Sequence, residues 1–527
     1  MSELLRSLLA SADITPPLDA HAAARLADEL AQATGWRPYP RSLVGAAGLL
    51  LFVARQGVDR RLCLLWDQAA VPPELTGFSG ERTQVSLDGA RLSLLAGSLD
   101  HGNAAALRAL LPFTAPQLLG VRPAIGCGDR LGIATPAHVQ AVRGSRLRPV
   151  FAQQSIREMT RTGRTPEQVL DTATFGVFQE GWREGFGADA DHLKTTEDVD
   201  ATVSAGFTMF TIDPGDHVDD AAHTADASAL HASFQALPWE ALETTRNDLV
   251  RAYARPVRLP DDSLVALEGD TLVRAAVKYG RALAHTAARY RHLMERMGDR
   301  PFELEMSVDE TAAPTTQAEH VFVARELRRL GVSWVSLAPR FVGEFEKGVD
   351  YRGDLDEFAR SFAGHVTVAR EFGPYKISIH SGSDKFSIYP IAARLAGDLV
   401  HLKTAGTSYL EALRAIARVD PGLFREILGF AVAHYPTDRA SYHVSADVAQ
   451  ALRPEGLRDE DLPSALDHFH TREALHVTFG SVLSALEQGR PRFRDRLMAV
   501  LAEHEEVHYE TVRAHLARHI APFAGAS

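Results

Sequence analysis

From about residue 120 onward, short apolar runs alternate with longer stretches whose apolar positions recur every three to four residues. The short runs fall at 123–127, 149–153, 188–194, 208–212, 302–308, 334–338, 376–380 and 399–404, and helical patterns such as 137–143, 317–330, 355–371 and 408–418 lie between them. Strands alternating with helices predict βαβ units and a parallel sheet. Eight such units predict the α/β class, with a closed (β/α)8 TIM-type barrel rather than an open doubly wound sheet. The rhythm breaks once, between Ile212 and Phe302, where the amphipathic run 270–297 predicts a helical insertion over about residues 219–300. Residues from about 421 onward read as C-terminal helices packed around the barrel.

Residues 1–118 follow a different pattern. Apolar stretches at 42–53 and 62–66 precede a hairpin-like 83–94, with Asp88-Gly89 as its turn, and a helical 103–111. This region predicts a small α+β N-terminal extension without evident chemistry, and 119–527 the catalytic barrel domain.

Composition narrows the classes. The chain has 527 residues, 45% hydrophobic and 24% charged, as expected of a globular enzyme with a large core. A net charge of −12 argues against nucleic-acid or membrane-surface partners, which need a basic face. Cys63 and Cys127 are too few for a disulfide framework or a thiolate zinc site. The N-terminus lacks a signal-peptide pattern, and no apolar run nears the ~20 residues that span a bilayer. The expectation is a cytoplasmic protein with a small-molecule partner, with a homo-oligomer left open.

The candidate chemistry is positional. Polar residues crowd the C-terminal ends of the proposed strands, where barrel enzymes build their sites. They include Gln153, Asp189, Asp191, His192, Lys194, Asp213, Glu303, Glu305, Arg340, Lys376, His380, Ser381, Ser383, Lys385, His401 and Lys403. A charged group facing a barrel interior is costly unless paired, hydrogen-bonded or metal-bound. His192, His380 and His401 are the candidate ligands of a divalent cation, with Glu305, Asp191 and Asp213 as further carboxylate donors. Imidazole and carboxylate without thiolate suit Zn, Mn, Co or Ni. The alternative for any one of these histidines is a hydrogen-bonded core residue. Asp191 and Glu305 suit proton transfer. Gln153, Lys194, Arg340, Ser381, Ser383, Lys385 and Lys403 are the candidate substrate-binding groups, each lysine or arginine being equally able to sit in a barrel salt bridge. The glycine-rich 126–132 is not a phosphate or dinucleotide fingerprint and reads as a tight turn with Asp129 and Arg130 paired together. No nucleophile elbow is present.

At these residues the chain resembles the tagaturonate epimerase family. The segments FAQQSIRE (151–158), GADADHLK (187–194), GFTMFTIDPGDHV (206–218), YKISIHSGSDKFSIYP (375–390) and HLKTAGTSYLEALR (401–414) carry the resemblance, which spans roughly residues 120–520. It implies a metal-dependent epimerase that interconverts D-tagaturonate and D-fructuronate in hexuronate catabolism. It further implies Asp191 as proton acceptor, Glu305 as proton donor, and His192 and His380 as metal ligands; His401, on its strand position, is the candidate third ligand.

Those two sugar acids differ at a carbon β to the ketone, whose hydrogen the carbonyl does not acidify. Retro-aldol opening and re-addition can invert it, with a Lewis-acidic cation stabilising the enediolate. Transient oxidation would need a bound nicotinamide, for which there is no fingerprint. A metal-dependent barrel aldolase or hydrolase, a fructose/tagatose 4-epimerase and a non-catalytic sugar-acid sensor are the competing readings.

Overall fold

The computed structural model describes residues 2–87 and 89–524, so Asp88 of the predicted turn lies outside the described residues. Its centre is a closed barrel of eight parallel strands: β1 Ala124–Gly126, β2 Arg148–Ser155, β3 Gly187–Leu193, β4 Met209–Ile212, β5 Glu303–Ser307, β6 Ser336–Ala338, β7 Lys376–Ile379 and β8 Val400–Lys403. Each strand pairs with the next in sequence, and β8 closes on β1 through His401↔Ala124 and Lys403↔Gly126. The eight predicted strands are all present.

The period of two along a strand sorts its side chains. Ile125, Phe210, Leu304, Met306, Leu337, Ile377 and Leu402 lie on the apolar face and pack in one core with the surrounding helices. Each such side chain contributes about 1.5–3 kcal/mol by leaving water. The alternate positions carry Asp189, Asp191, Thr211, Glu305, Ser378, His401 and Lys403, all buried. This barrel therefore has a polar interior, and the partners of those groups fix its chemistry.

The run predicted as part of an insertion is instead one of the barrel's own helices. Gly269–Met297 packs against helices Thr196–Ala205 and Gln317–Arg329, filling the outer ring between β4 and β5. The addition proper is the preceding stretch, with helices Ala227–Gln235 and Arg246–Ala252 and a two-stranded ribbon.

The N-terminal region holds a six-stranded antiparallel sheet with helices Glu3–Leu9, Ala20–Thr34 and His101–Leu110 beside it. The apolar stretch 42–53 is two strands, Val44–Ala46 and Leu49–Gln56, because Ala47 and Gly48 both adopt positive φ and reverse the chain. No described helix is long and apolar enough to cross a membrane.

Candidate active site

A backbone irregularity builds the site. Met209 and Phe210 pair with Asp189 and Ala190, but Ile212 pairs with Leu193, so Thr211 faces two residues of β3. This bulge puts His192 at φ 58°, sparsely populated for a residue with a side chain. Consecutive strand residues normally point to opposite faces. Here Asp191 and His192 both reach the cavity at the C-terminal mouth of the barrel.

The centre is an ammonium among carboxylates. Lys403 Nζ lies 2.7 Å from Asp189 Oδ2, 2.8 Å from Asp191 Oδ1, 2.8 Å from Glu305 Oε1 and 2.8 Å from Thr211 Oγ1. Burial opposes its charge, but the three carboxylates outweigh burial and hold its pKa well above the ordinary lysine value. Burial also opposes ionisation of Asp191 and Glu305. Lys403 overcomes it in both, with His192 and His380 assisting at Asp191 and His380 at Glu305, and both carboxyls sit below the usual range. Asp189 is instead pushed up to about 6, by burial and then by the charges of Asp191 and Glu305, despite Lys403.

Two histidines lie above this cluster with rings 5.0 Å apart. His380 Nε2 is 2.6 Å from Glu305 Oε1, and its Nδ1 is 3.2 Å from Asp309 Oδ1. His192 Nδ1 is 3.3 Å from Asp213 Oδ2. Burial works against protonation of both rings, but Asp191 and Asp213 raise the pKa of His192, and Asp309 and Glu305 raise that of His380. Asp191, His192 and His380 each offer a ligand atom, and all three atoms lie within 4.8 Å of one another. A carboxylate bonded to an imidazole fixes its tautomer and orients the ring, as Glu305 does for His380 and Asp213 for His192.

The remaining predicted residues divide by position. Gln153 donates 3.0 Å to Asp191 Oδ2 and lines the cavity, as do Ser381 and Ser383. Arg340 lines only an adjoining outer vestibule. Lys194 is bound at the rim to Asp216 at 2.9 Å. His401 lies fully buried below the convergent group, its Nδ1 3.4 Å from Glu305 Oε2, and burial pushes it down to about 4 against the pull of Glu305. Glu305 lines neither cavity, because His380 and Lys403 stand between it and the mouth. Lys385 is turned away from the mouth: its ammonium is spent on the backbone carbonyls of Ser383, Glu346 and Val349. The predicted Asp129–Arg130 pair is absent. Asp129 accepts the N–H groups of Leu131, Gly132 and Ala134, and Arg130 grips Glu158 instead.

With that geometry in hand, comparison with known proteins is decisive. Residues 39–523 match the tagaturonate epimerase family. The chain is 43% identical over 486 residues to the tagaturonate/fructuronate epimerase of Thermotoga maritima, spanning 92% of this chain and 96% of that protein. The chain belongs to the tagaturonate epimerase family. Two solved structures of the fructuronate-tagaturonate epimerase of Cohnella laeviribosi superpose with a TM-score of 0.87. The native form is 37% identical and a glycerol complex 36%, each covering 96% of this chain and 99% of the other.

The cavity of this epimerase is narrow, about 40 Å³, and shares Asp309, Lys347, His380 and Ser381 with the vestibule, whose volume is about 560 Å³. Sequence reasoning gave no place in the site to Asp309, Glu158, Lys347 or His476, and read Arg130 only as a turn partner of Asp129; all five line the cavity. Asp309 follows β5 directly, and its place at a strand end was a usable signal. His476 comes from helix Phe469–Val477, one of the C-terminal helices, where no strand rhythm marks it; its only signal was the segment HVTFGSVL (476–483), which also resembles the family.

The epimerase has a second histidine–carboxylate group, buried Asp384, His515 and His519. Arg472 already neutralises Asp384, and the Asp384 N–H donates 2.9 Å to His519 Nε2, using the lone pair a cation would need. These contacts tie the loop after β7 to helix Glu505–Ile520.

Proposed function

We propose that this epimerase interconverts D-tagaturonate and D-fructuronate by retro-aldol opening and re-addition, with a divalent cation at the barrel mouth. The observation that carries the reading is the convergence of Asp191, His192 and His380 within 4.8 Å on one cavity at the barrel mouth. The donor set fits a cation. Two imidazoles with carboxylate partners and the cavity-lining carboxylate of Asp191 suit Zn, Mn, Co or Ni, and Asp189, Asp191, Asp213, Glu305 and Asp309 bring more negative charge than Lys403 balances. When bound, the cation supplies Lewis acidity to the ketone end of the sugar acid.

This chain's own residues handle the proton. Asp191, kept ionised by Lys403 and lining the cavity, takes the O–H proton of the hydroxyl borne by the carbon to be inverted. The oxygen's electron pair becomes the carbonyl of an aldehyde. The broken carbon–carbon bond leaves its pair on the carbon beside the ketone, as an enediolate. The aldehyde turns, the pair re-forms the bond on its other face, and Asp191 returns the proton. Glu305 keeps the His380 ring oriented at 2.6 Å without touching the sugar. Gln153 holds the other Asp191 oxygen, so its reactive oxygen has one orientation.

The test is to strip the purified protein with chelator, restore single divalent metals, and follow interconversion by NMR in D₂O. Metal-specific recovery without deuterium at the inverted carbon is expected. Full turnover without metal, or deuterium at that carbon, overturns the reading.

A further inference from the structure

A sugar acid carries a carboxylate close to the inverted carbon, so the cavity needs a cation that is free to meet it. Lys403 is spent on three carboxylates, Lys385 on backbone carbonyls, Lys194 on Asp216 outside the cavity, and Arg340 lines only the vestibule. Arg130 and Lys347 remain.

Arg130 is 3% exposed, and its guanidinium stacks 3.7 Å from the centre of the Phe479 ring. Its Nε and Nη2 donate to the same oxygen of Glu158 at 2.8 and 2.6 Å. That fixes the plane and leaves Nη1 buried without a hydrogen-bond partner. A buried guanidinium nitrogen without a partner is expensive, and a planar fork suits a carboxylate.

Lys347 lines both the cavity and the vestibule, and its nearest ionic partner is Glu310 at 3.6 Å, too far for a hydrogen bond. The turn that carries it is clamped from below. Lys385 binds the carbonyls of Glu346 and Val349 on either side, and Arg472 Nε donates 2.6 Å to the Gly348 carbonyl. His476 stands beside Arg130 and the turn that carries Lys347: Nε2 lies 3.5 Å from Arg130 Nη2, and a Cβ on Gly348 would stand 2.9 Å from Nδ1, which has no hydrogen-bond partner.

We propose that Arg130 and Lys347 together take the carboxylate of the sugar acid, with His476 as a neutral hydrogen-bonding group between them. This rests on the sugar-acid reading above and assigns its carboxylate end. Lys347, partly exposed and on a clamped turn, reaches the carboxylate as it enters from the vestibule. Arg130 then supplies the fixed, directional contact. The other end of the substrate faces Asp191 and His380.

The test uses the metal-loaded full chain and the variants Lys347→Met and Arg130→Met, with KM and kcat measured in both directions. The inhibition constant of D-glycerate, a three-carbon hydroxy acid, is measured alongside. KM should rise about 10- to 100-fold, the scale of a lost charged hydrogen bond, with kcat changed less than about threefold, and the glycerate constant should rise by the same factor. An unchanged KM in Lys347→Met overturns the proposal, as does loss of kcat alone or a glycerate constant that does not follow KM. Because Arg130 is buried with Glu158, the double variant Arg130→Met/Glu158→Leu removes both charges if the single variant fails to fold, and the same KM rise is required of it. A parent protein that turns over neither sugar acid refutes the functional reading. A parent that is active while Lys347→Met keeps its KM refutes only this subsite.

Discussion

Lys403 Nζ stands 2.8 Å from Asp191 Oδ1, joining strands β8 and β3 across the barrel interior. Asp189 and Glu305 share the same ammonium. Replacing it by Lys403→Met leaves three buried carboxylates without their cation. Removing one partner of a buried pair costs about 3–5 kcal/mol, so the unfolding free energy from urea titration at pH 7.5 should drop by about that. In the parent, the depressed pKa values of Asp191 and Glu305 give stability that is present above their unfolded values and lost on acidification. In the variant, burial raises those values, so its deficit should shrink as pH falls below about 5. A deficit that does not change with pH would contradict the arrangement.

Metal content separates the histidines. His192→Ala and His380→Ala should each lower bound metal well below one equivalent per chain, measured by mass spectrometry after dialysis. His401→Gln should retain it, since that ring faces Glu305 below the convergent group. Asp384→Asn should also leave content unchanged, because Arg472 and a backbone N–H occupy that trio. Two equivalents in the parent would contradict this.

The barrel was legible because outward strand positions are apolar and inward ones carry the chemistry, a period of two that survives the polar interior. What the pattern could not show was partnership. Lys385 and Lys403 both follow a strand-end histidine, yet one meets three carboxylates and the other three carbonyls. Asp191 and His192 are neighbours that alternation would send to opposite faces, and only the bulge opposite Thr211 brings both to the mouth. His476 and Lys347 arrive from a distant helix and a loop after β6, positions that no strand rhythm marks. The run 270–297 was recognisable as a helix, but its place in the outer ring depends on the neighbours it packs against.

Acid should unfold the metal-free protein through its neutral core histidines. Burial holds His138, His365, His508 and His519 at about 4, against about 6.5 in the unfolded chain. Between those values the unfolded chain binds more protons, so stability falls as pH drops from about 6.5 to 4 and is unaffected by these groups above about 7.5. Each contributes a slope of at most about 1.4 kcal/mol per pH unit. The thermal midpoint should therefore fall steeply across that window, and His365→Leu should flatten the fall. A midpoint constant between pH 7 and 4.5 would contradict it.

The Lys385 clamp has its own signature. Lys385→Met leaves the carbonyls of Ser383, Glu346 and Val349 short of a donor, at about 1–3 kcal/mol for each buried group left unsatisfied. The turn that carries Lys347 should loosen, so amide exchange at 347–350 should quicken by at least tenfold while exchange in β7 is preserved. Burial pushes Lys385 down to about 8, with Asp384 opposing, whereas an unfolded lysine titrates near 10.4. The unfolded chain therefore binds more protons between those values, and this lysine makes the parent more stable as pH rises through that window. Lys385→Met should lose that slope. A variant that keeps both the slope and the protected turn would show that the ammonium does not hold the loop.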